Sequence, residues 1–186
     1  MPKIYIDQGH NPVNPNAGAE GNGFREQDLV YRIGQETASI LRSRGFEVRL
    51  SRPTPDTQLG TSSTTSLQSR VNEANAWGAD LFVSLHTNAS VIESASGSEA
   101  FVFRRNGDAE ILAENILEQL EYATGLISRG VFARPGLYVL RKTRMPATLV
   151  ELGFISNIRD AERMAYSPQL FAAGVANGIS AYYGLL

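Results

Sequence analysis

The chain has 186 residues, 42% hydrophobic and 19% charged, with a net charge of −2 and no cysteine. That length buries a proper core within one domain, and a pI near 5.7 leaves no electrostatic footprint for nucleic acid. Disulfide frameworks and thiol chemistry are excluded, and no apolar stretch approaches the roughly 18 residues of a membrane span.

Met1 leads almost directly into a strand, with no basic segment followed by an apolar one, so no signal peptide is expected in these residues. Lys3 to Asp7 (KIYID) is a β-branched and aromatic run that Gly9 ends. Residues 11–25 are rich in Asn, Gly and Pro and read as one structureless loop. Connections in compact domains are usually about four to six residues, and long ordered loops at strand ends tend to carry function. From Glu26 to Arg44 the residues Leu29, Val30, Ile33, Ile40 and Leu41 recur at helical spacing before Gly45.

Phe46 to Leu50 alternates as a strand does, and Ser51 to Ser66 reads as loop. A helix is predicted over Leu67 to Trp77, then a strand covered on both faces over Asp80 to Leu85 (DLFVSL). Glu99 to Phe103 is a further strand candidate, and Asp108 to Thr124 a helix. Leu137 to Leu140 and Ala147 to Val150 are short apolar runs, and Pro168 opens a last helix. Strands alternate with helices without repeat or linker. The prediction is one α/β domain over residues 1–186, a twisted, mostly parallel sheet with helices on both faces.

The only histidines are His10 and His86, and each follows a predicted strand. A catalytic metal here must therefore be held by these imidazoles and by carboxylates, the ligand set of a hydrolytic zinc site. Ligands of open α/β sheets bind beyond the carboxyl ends of the strands. His10 follows KIYID, His86 follows DLFVSL, Glu151 follows ATLV, and Glu26 opens the first helix on the same sheet edge. Taken singly, each has a structural reading: a hydrogen-bonded histidine, a carboxylate favoured by the helix dipole, a glutamate paired with an arginine. All four gathering at one edge is what points to a site.

The segments Ile6-Asp7-Gln8-Gly9-His10, Gly18-Ala19, Gly23-Phe24-Arg25-Glu26, Ser84-Leu85-His86-Thr87-Asn88-Ala89 and Val150-Glu151-Leu152-Gly153-Phe154-Ile155-Ser156-Asn157 resemble the zinc-dependent N-acetylmuramoyl-L-alanine amidases of amidase type 3. Ser51-Arg52, Arg70 with Ala74-Asn75, and Pro146-Ala147 agree as well, so the resemblance covers essentially the whole chain. It implies a phosphorylase/hydrolase-like fold and a Zn2+ held by His10, Glu26 and His86, with Glu151 as the catalytic carboxylate. Glu20 in the same loop is a rival ligand; Glu26 is preferred for its Gly-x-x-Glu context at a helix start. Asp7, Asn88 and Glu99 are candidates for the surrounding shell.

The resemblance also implies peptidoglycan as substrate and action at the cell wall, as an autolysin, a sporulation amidase or a phage endolysin, with a monomer expected. Gln8 departs from the Pro of many relatives. Some relatives carry an inserted helix that plugs the site after the second His motif; the interval Ser90 to Ser98 is too short for one, which implies an open site. Two rivals remain at this stage. A carboxypeptidase acting on the stem peptide would need a cation for the free terminal carboxylate, for which Arg141, Lys142 and Arg144 are available, and a catalytically dead wall-binding module would need no base. No nucleophile elbow, Walker loop or dinucleotide fingerprint is present.

Overall fold

Apolar residues two apart along a strand share a face, whereas those three or four apart share a helix side. Both periods are realised in the computed structural model, which describes residues 1–186. In chain order the elements are β1 (Lys3–Gln8), β2 (Glu20–Gly21), β3 (Phe24–Arg25), α1 (Glu26–Ser43), β4 (Glu47–Leu50), α2 (Ser63–Trp77) and β5 (Leu81–Asn88). There follow β6 (Ser98–Val102), α3 (Asp108–Thr124), β7 (Ser128–Ala133), α4 (Tyr138–Lys142), β8 (Ala147–Phe154), α5 (Ile158–Tyr166) and α6 (Pro168–Tyr182). The central sheet has six strands in the order β4-β1-β5-β8-β6-β7. All neighbours run parallel except β6 and β8, which pair antiparallel. No helix is long and apolar enough to cross a membrane.

Alternation divides the sheet's side chains between two cores. Ile4, Ile6, Val83, Leu85, Val150 and Leu152 face the helices α1, α3 and α6. Tyr5, Phe82, Ala147 and Leu149 face the other way, against Val71 and Ala74 of α2 and Val139 and Leu140 of α4. On this second face apolar packing stops partway along the strands. The next positions on it are Asp7, Ser84, His86 and Glu151, so the carboxyl-terminal part of the face is polar.

Several expectations are corrected. β5 and β8 run on to Asn88 and Phe154, so His86 and Glu151 lie within their strands rather than beyond them. Residues 11–25 are not structureless: Glu20 pairs with Arg25 and Gly21 with Phe24, and Asn22 and Gly23 take the positive φ of 52° and 81° that such a hairpin turn needs. α2 begins four residues early because Ser62 and Thr65 form a reciprocal capping box. Leu137 to Leu140 leads into the short α4, not a strand. Two elements had no clear sequence signal. β7 is an edge strand that buries only Val131, and α5 buries only Asp160, Ala161 and Met164.

Helices α3 and α6 approach closely because Gly174 and Gly178 stand one turn apart. A Cβ on Gly178 would lie 2.3 Å from the Ile116 Cα and 2.7 Å from its backbone nitrogen. Gly178→Ala gains about 1 kcal/mol of helix propensity but forces two backbones apart, and overpacking of this kind costs about 1–3 kcal/mol. Net destabilisation is therefore expected as a lower urea midpoint with an unchanged slope; a higher midpoint would contradict the packing.

Candidate metal centre and its supporting network

Glu26 stands in the first turn of α1, its side chain 4% exposed. Each carboxylate oxygen accepts one backbone hydrogen bond: Ala19 N–H donates to Oε2 and Thr87 N–H to Oε1, both at 2.9 Å. Each also faces one imidazole, His10 Nε2 at 3.2 Å from Oε2 and His86 Nδ1 at 3.0 Å from Oε1. Burial opposes the charge of Glu26, but hydrogen bonds from both histidines and their charge hold its carboxyl well below the usual range. For His86, burial likewise opposes a positive charge, and Glu26, Glu151 and Asp7 outweigh it. This is a place that attracts positive charge.

Backbone geometry makes the cluster possible. His10 adopts φ 66°, a left-handed conformation uncommon outside glycine, and such departures concentrate where function requires them. Gln8 pairs with Leu85, so Gly9 comes level with His86; a Cβ there would lie 2.5 Å from the His86 ring. At Gly18 a Cβ would lie 2.8 Å from Glu26 Oε2 and 2.9 Å from His10 Cδ2. Two glycines thus leave the room that the imidazoles and the carboxylate occupy.

One donor atom from each of His10, Glu26 and His86 lies within 4.8 Å of the others. Tetrahedral zinc with ligands near 2.0–2.1 Å has an edge of about 3.3 Å, which the two contacts of 3.0 and 3.2 Å approach. The two contacts use different oxygens of Glu26, and it is the donor set, two imidazoles and a carboxylate, that fits a zinc ion. Glu20 takes no part: its side chain is 71% exposed and lies 3.7 Å from Arg25 Nε.

Glu151 of β8 stands in register with His86 of β5 on one side and Glu99 of β6 on the other. Its Oε2 is buried without a hydrogen-bond partner in the chain. Burial pushes its carboxyl up to about 7, with His86 pulling it down and Glu26 and Glu99 pushing further up. Glu99 is held differently: Asn88 Nδ2 donates to it at 2.6 Å and Arg129 Nε at 3.2 Å. Asn88 and Glu99 therefore satisfy each other beside the site. No helix forms between Ser90 and Ser98.

Behind the cluster lies a buried ionic network. The Arg70 guanidinium donates to Asp7 Oδ1 at 2.5 Å, to the Gln8 carbonyl at 2.6 Å and to the His10 carbonyl at 2.5 Å. The second Asp7 oxygen accepts from Ser84 Oγ at 2.7 Å. Asp7 hydrogen-bonds to neither histidine; it secures the arginine that holds the backbone of His10. Burial opposes its charge, yet Arg70 and the Ser84 hydrogen bond keep its carboxyl below the usual range.

The mostly parallel sheet with helices on both faces, and this cluster at the carboxyl-terminal ends of its strands, define an α/β domain with a candidate metal centre. Residues 4–181 match the family model described as N-acetylmuramoyl-L-alanine amidase, and the chain belongs to that family. It is 36% identical to the Bacillus subtilis protein YqiI over 97% of this chain and 84% of that one. With the sporulation-specific N-acetylmuramoyl-L-alanine amidase of the same organism it shares 34% identity over 100% of this chain and 69% of the other. The solved catalytic domain of CwlV, an N-acetylmuramoyl-L-alanine amidase from Paenibacillus polymyxa, superposes with a TM-score of 0.86 at 30% identity, covering 100% of both chains.

Asp7 carries a lowered pKa, so its contribution to stability is present above the unfolded value of about 3.9 and is lost as pH falls through the folded one. Breaking a buried pair by removing one partner costs about 3–5 kcal/mol. Asp7→Asn is expected to lose stability on that order at pH 7, with the deficit shrinking below pH about 3.9. Urea unfolding at both pH values checks this; an unchanged midpoint at pH 7 would remove Asp7 from the network.

Proposed function

We propose that this chain is a zinc-dependent amidase that cuts the amide between N-acetylmuramic acid and L-alanine in peptidoglycan, acting at the cell wall as a monomer. The observation that carries the reading is the convergence of His10, Glu26 and His86 within 4.8 Å, with Glu151 in register beside His86. Family membership supports the bond and the substrate. In this reading His10, Glu26 and His86 hold the ion, and Zn2+ suits two imidazoles and a carboxylate better than magnesium or calcium, which favour all-oxygen sites. Bound there, the ion supplies Lewis acidity toward an amide carbonyl and toward water.

Glu151 is the proton carrier. Its buried Oε2, free of hydrogen bonds within the chain, accepts a proton from the attacking water and returns it to the departing amide nitrogen. General acid–base assistance of this kind contributes ~10²–10⁴-fold. Glu26 cannot substitute, because both its oxygens are engaged by backbone N–H groups and imidazoles.

The carboxypeptidase alternative loses its footing on distance. Arg141 and Arg144 line a cavity at Ala147, four residues or about 13 Å along β8 from Glu151. A carboxypeptidase needs its cation about one residue, roughly 3.5 Å, from the scissile bond.

Glu151→Gln is expected to retain zinc and lose at least ~10²-fold in kcat, whereas His10→Ala or His86→Ala loses the metal, read by metal analysis after dialysis. New L-alanine amino ends released from purified wall report the reaction. A Gln variant with most of its turnover would reassign the base. The pH profile gives a second check. Glu151 must be ionised to accept a proton, so kcat/KM falls as pH drops below a value at or under about 7, since the bound cation favours the carboxylate. An acid limb well above that value would assign it to another group.

A further inference from the structure

We propose that a cavity at the amino-terminal end of β8 is a carboxylate-binding subsite for the stem peptide, a reading that rests on the function proposed above. The cavity measures about 400 Å3, and its lining includes Phe103, Arg104, Asp108, Leu140, Arg141 and Arg144. None of the three arginines takes part in an ion pair. Asp108 is the single opposing charge in the lining. In a chain of net charge −2, three uncompensated guanidinium groups around one concavity raise the local concentration of anions. Guanidinium forks match carboxylates in geometry as well as charge.

The cavity lies at the amino-terminal end of β8, between the start of α3 on one face of the sheet and α4 on the face that carries the candidate centre. Along β8, Glu151, Leu149 and Ala147 alternate onto that face; Leu149 packs there, and Ala147 borders the cavity. Across the antiparallel pair, Glu99 stands beside Glu151 and Phe101 beside Leu149, which brings Phe103 level with Ala147. Phe101 and Phe132 lie 6.5 Å apart on the neighbouring strands β6 and β7, and the Arg134 guanidinium sits 5.1 Å from the Phe101 ring. Leu149 and Ala147 are covered by α4, so the exposed floor between the two places is that of β6 and β7, with Phe103, Phe132 and Arg134.

Length and charge select the occupant. From Glu99, beside Glu151, to Phe103 is about 13 Å of β6, and an extended peptide covers that in about four residues. A stem peptide whose first amide is at Glu151 brings the carboxylates of its far end to Arg104, Arg141 and Arg144. The glycan on the other side of the scissile bond offers neutral sugar rings, which have no use for three cations.

The test uses the zinc-loaded protein and muramyl tetrapeptides that end in either a free carboxylate or a carboxamide. The Arg141→Ala/Arg144→Ala variant is expected to raise KM for the free acid by ~10-fold or more, the scale of losing charge-assisted hydrogen bonds, with kcat unchanged. KM for the carboxamide should stay near the wild-type value. Calorimetric titration of the free tetrapeptide into Glu151→Gln, with and without the arginine substitutions, reads the subsite without turnover, and binding should weaken by the same factor. Equal KM values for acid and amide in the wild type, or tetrapeptide binding indifferent to the arginines, would overturn the subsite. So would a KM that follows the number of sugars instead. A wild type that releases no L-alanine amino ends would overturn the proposed reaction, while the titration still decides the subsite.

Discussion

Arg70 is 1% exposed, and its guanidinium reaches Asp7 and the backbone carbonyls of Gln8 and His10 in one planar fork. A charge taken that far from water is tolerable only when it is partnered, and here both terminal nitrogens are held by the end of β1 and the second residue beyond it, while Nε has no partner. Where Arg70 goes, the carbonyl of His10 must follow. That restraint helps to keep His10 at φ 66°, and from there its imidazole reaches Glu26. The helix α2 supplies Arg70, so the packing of α2 on the sheet is transmitted to the candidate centre.

The rest of the site is a matter of register. His86, Glu151 and Glu99 are partners across β5, β8 and β6, which spaces them at the interval between strands and turns them to one face. A slip of one residue would send each side chain into the opposite core. Leu85, Val150, Leu152 and Ala100 lie fully buried in that core, so the apolar pattern on one face fixes the placement of the carboxylates and imidazole on the other. Glu151 is then both shielded and beside other acids, which is why its carboxyl is pushed up while Glu26 and Asp7, held by cationic or hydrogen-bonding partners, move down.

Much of the fold was legible because its elements bury a strong pattern. KIYID and DLFVSL could hardly be anything but covered strands, and Leu29, Val30, Ile33 and Leu41 set the period of α1. Illegible parts were those whose stability comes from elsewhere. β7 exists because β6 offers it hydrogen bonds, not because SRGVFA alternates. α5 is short and largely exposed, and the hairpin at Glu20–Arg25 depends on two positive-φ residues within a stretch that composition alone marks as loop. The four residues gathered at one sheet edge were readable from scarcity, spacing and motif. Arg70 appeared in the sequence only as a point of agreement with a family, and Gly9 and Gly18 only as motif letters.

By itself the sequence determined the donor inventory: two imidazoles, no thiols, and a handful of carboxylates near strand ends, so that the loss of either histidine leaves no substitute. It also determined the alternation of strand and helix, since periodicity is a local property. Only the tertiary structure decided which carboxylate joins the imidazoles, putting Glu26 between them and leaving Glu20 71% exposed. Both lie in the same stretch of chain, and the sequence favours Glu26 only through its Gly-x-x-Glu context at a helix start. The choice is made by Ala19 N–H and Thr87 N–H, two backbone donors that no side-chain pattern records, one of them supplied by a strand 61 residues away.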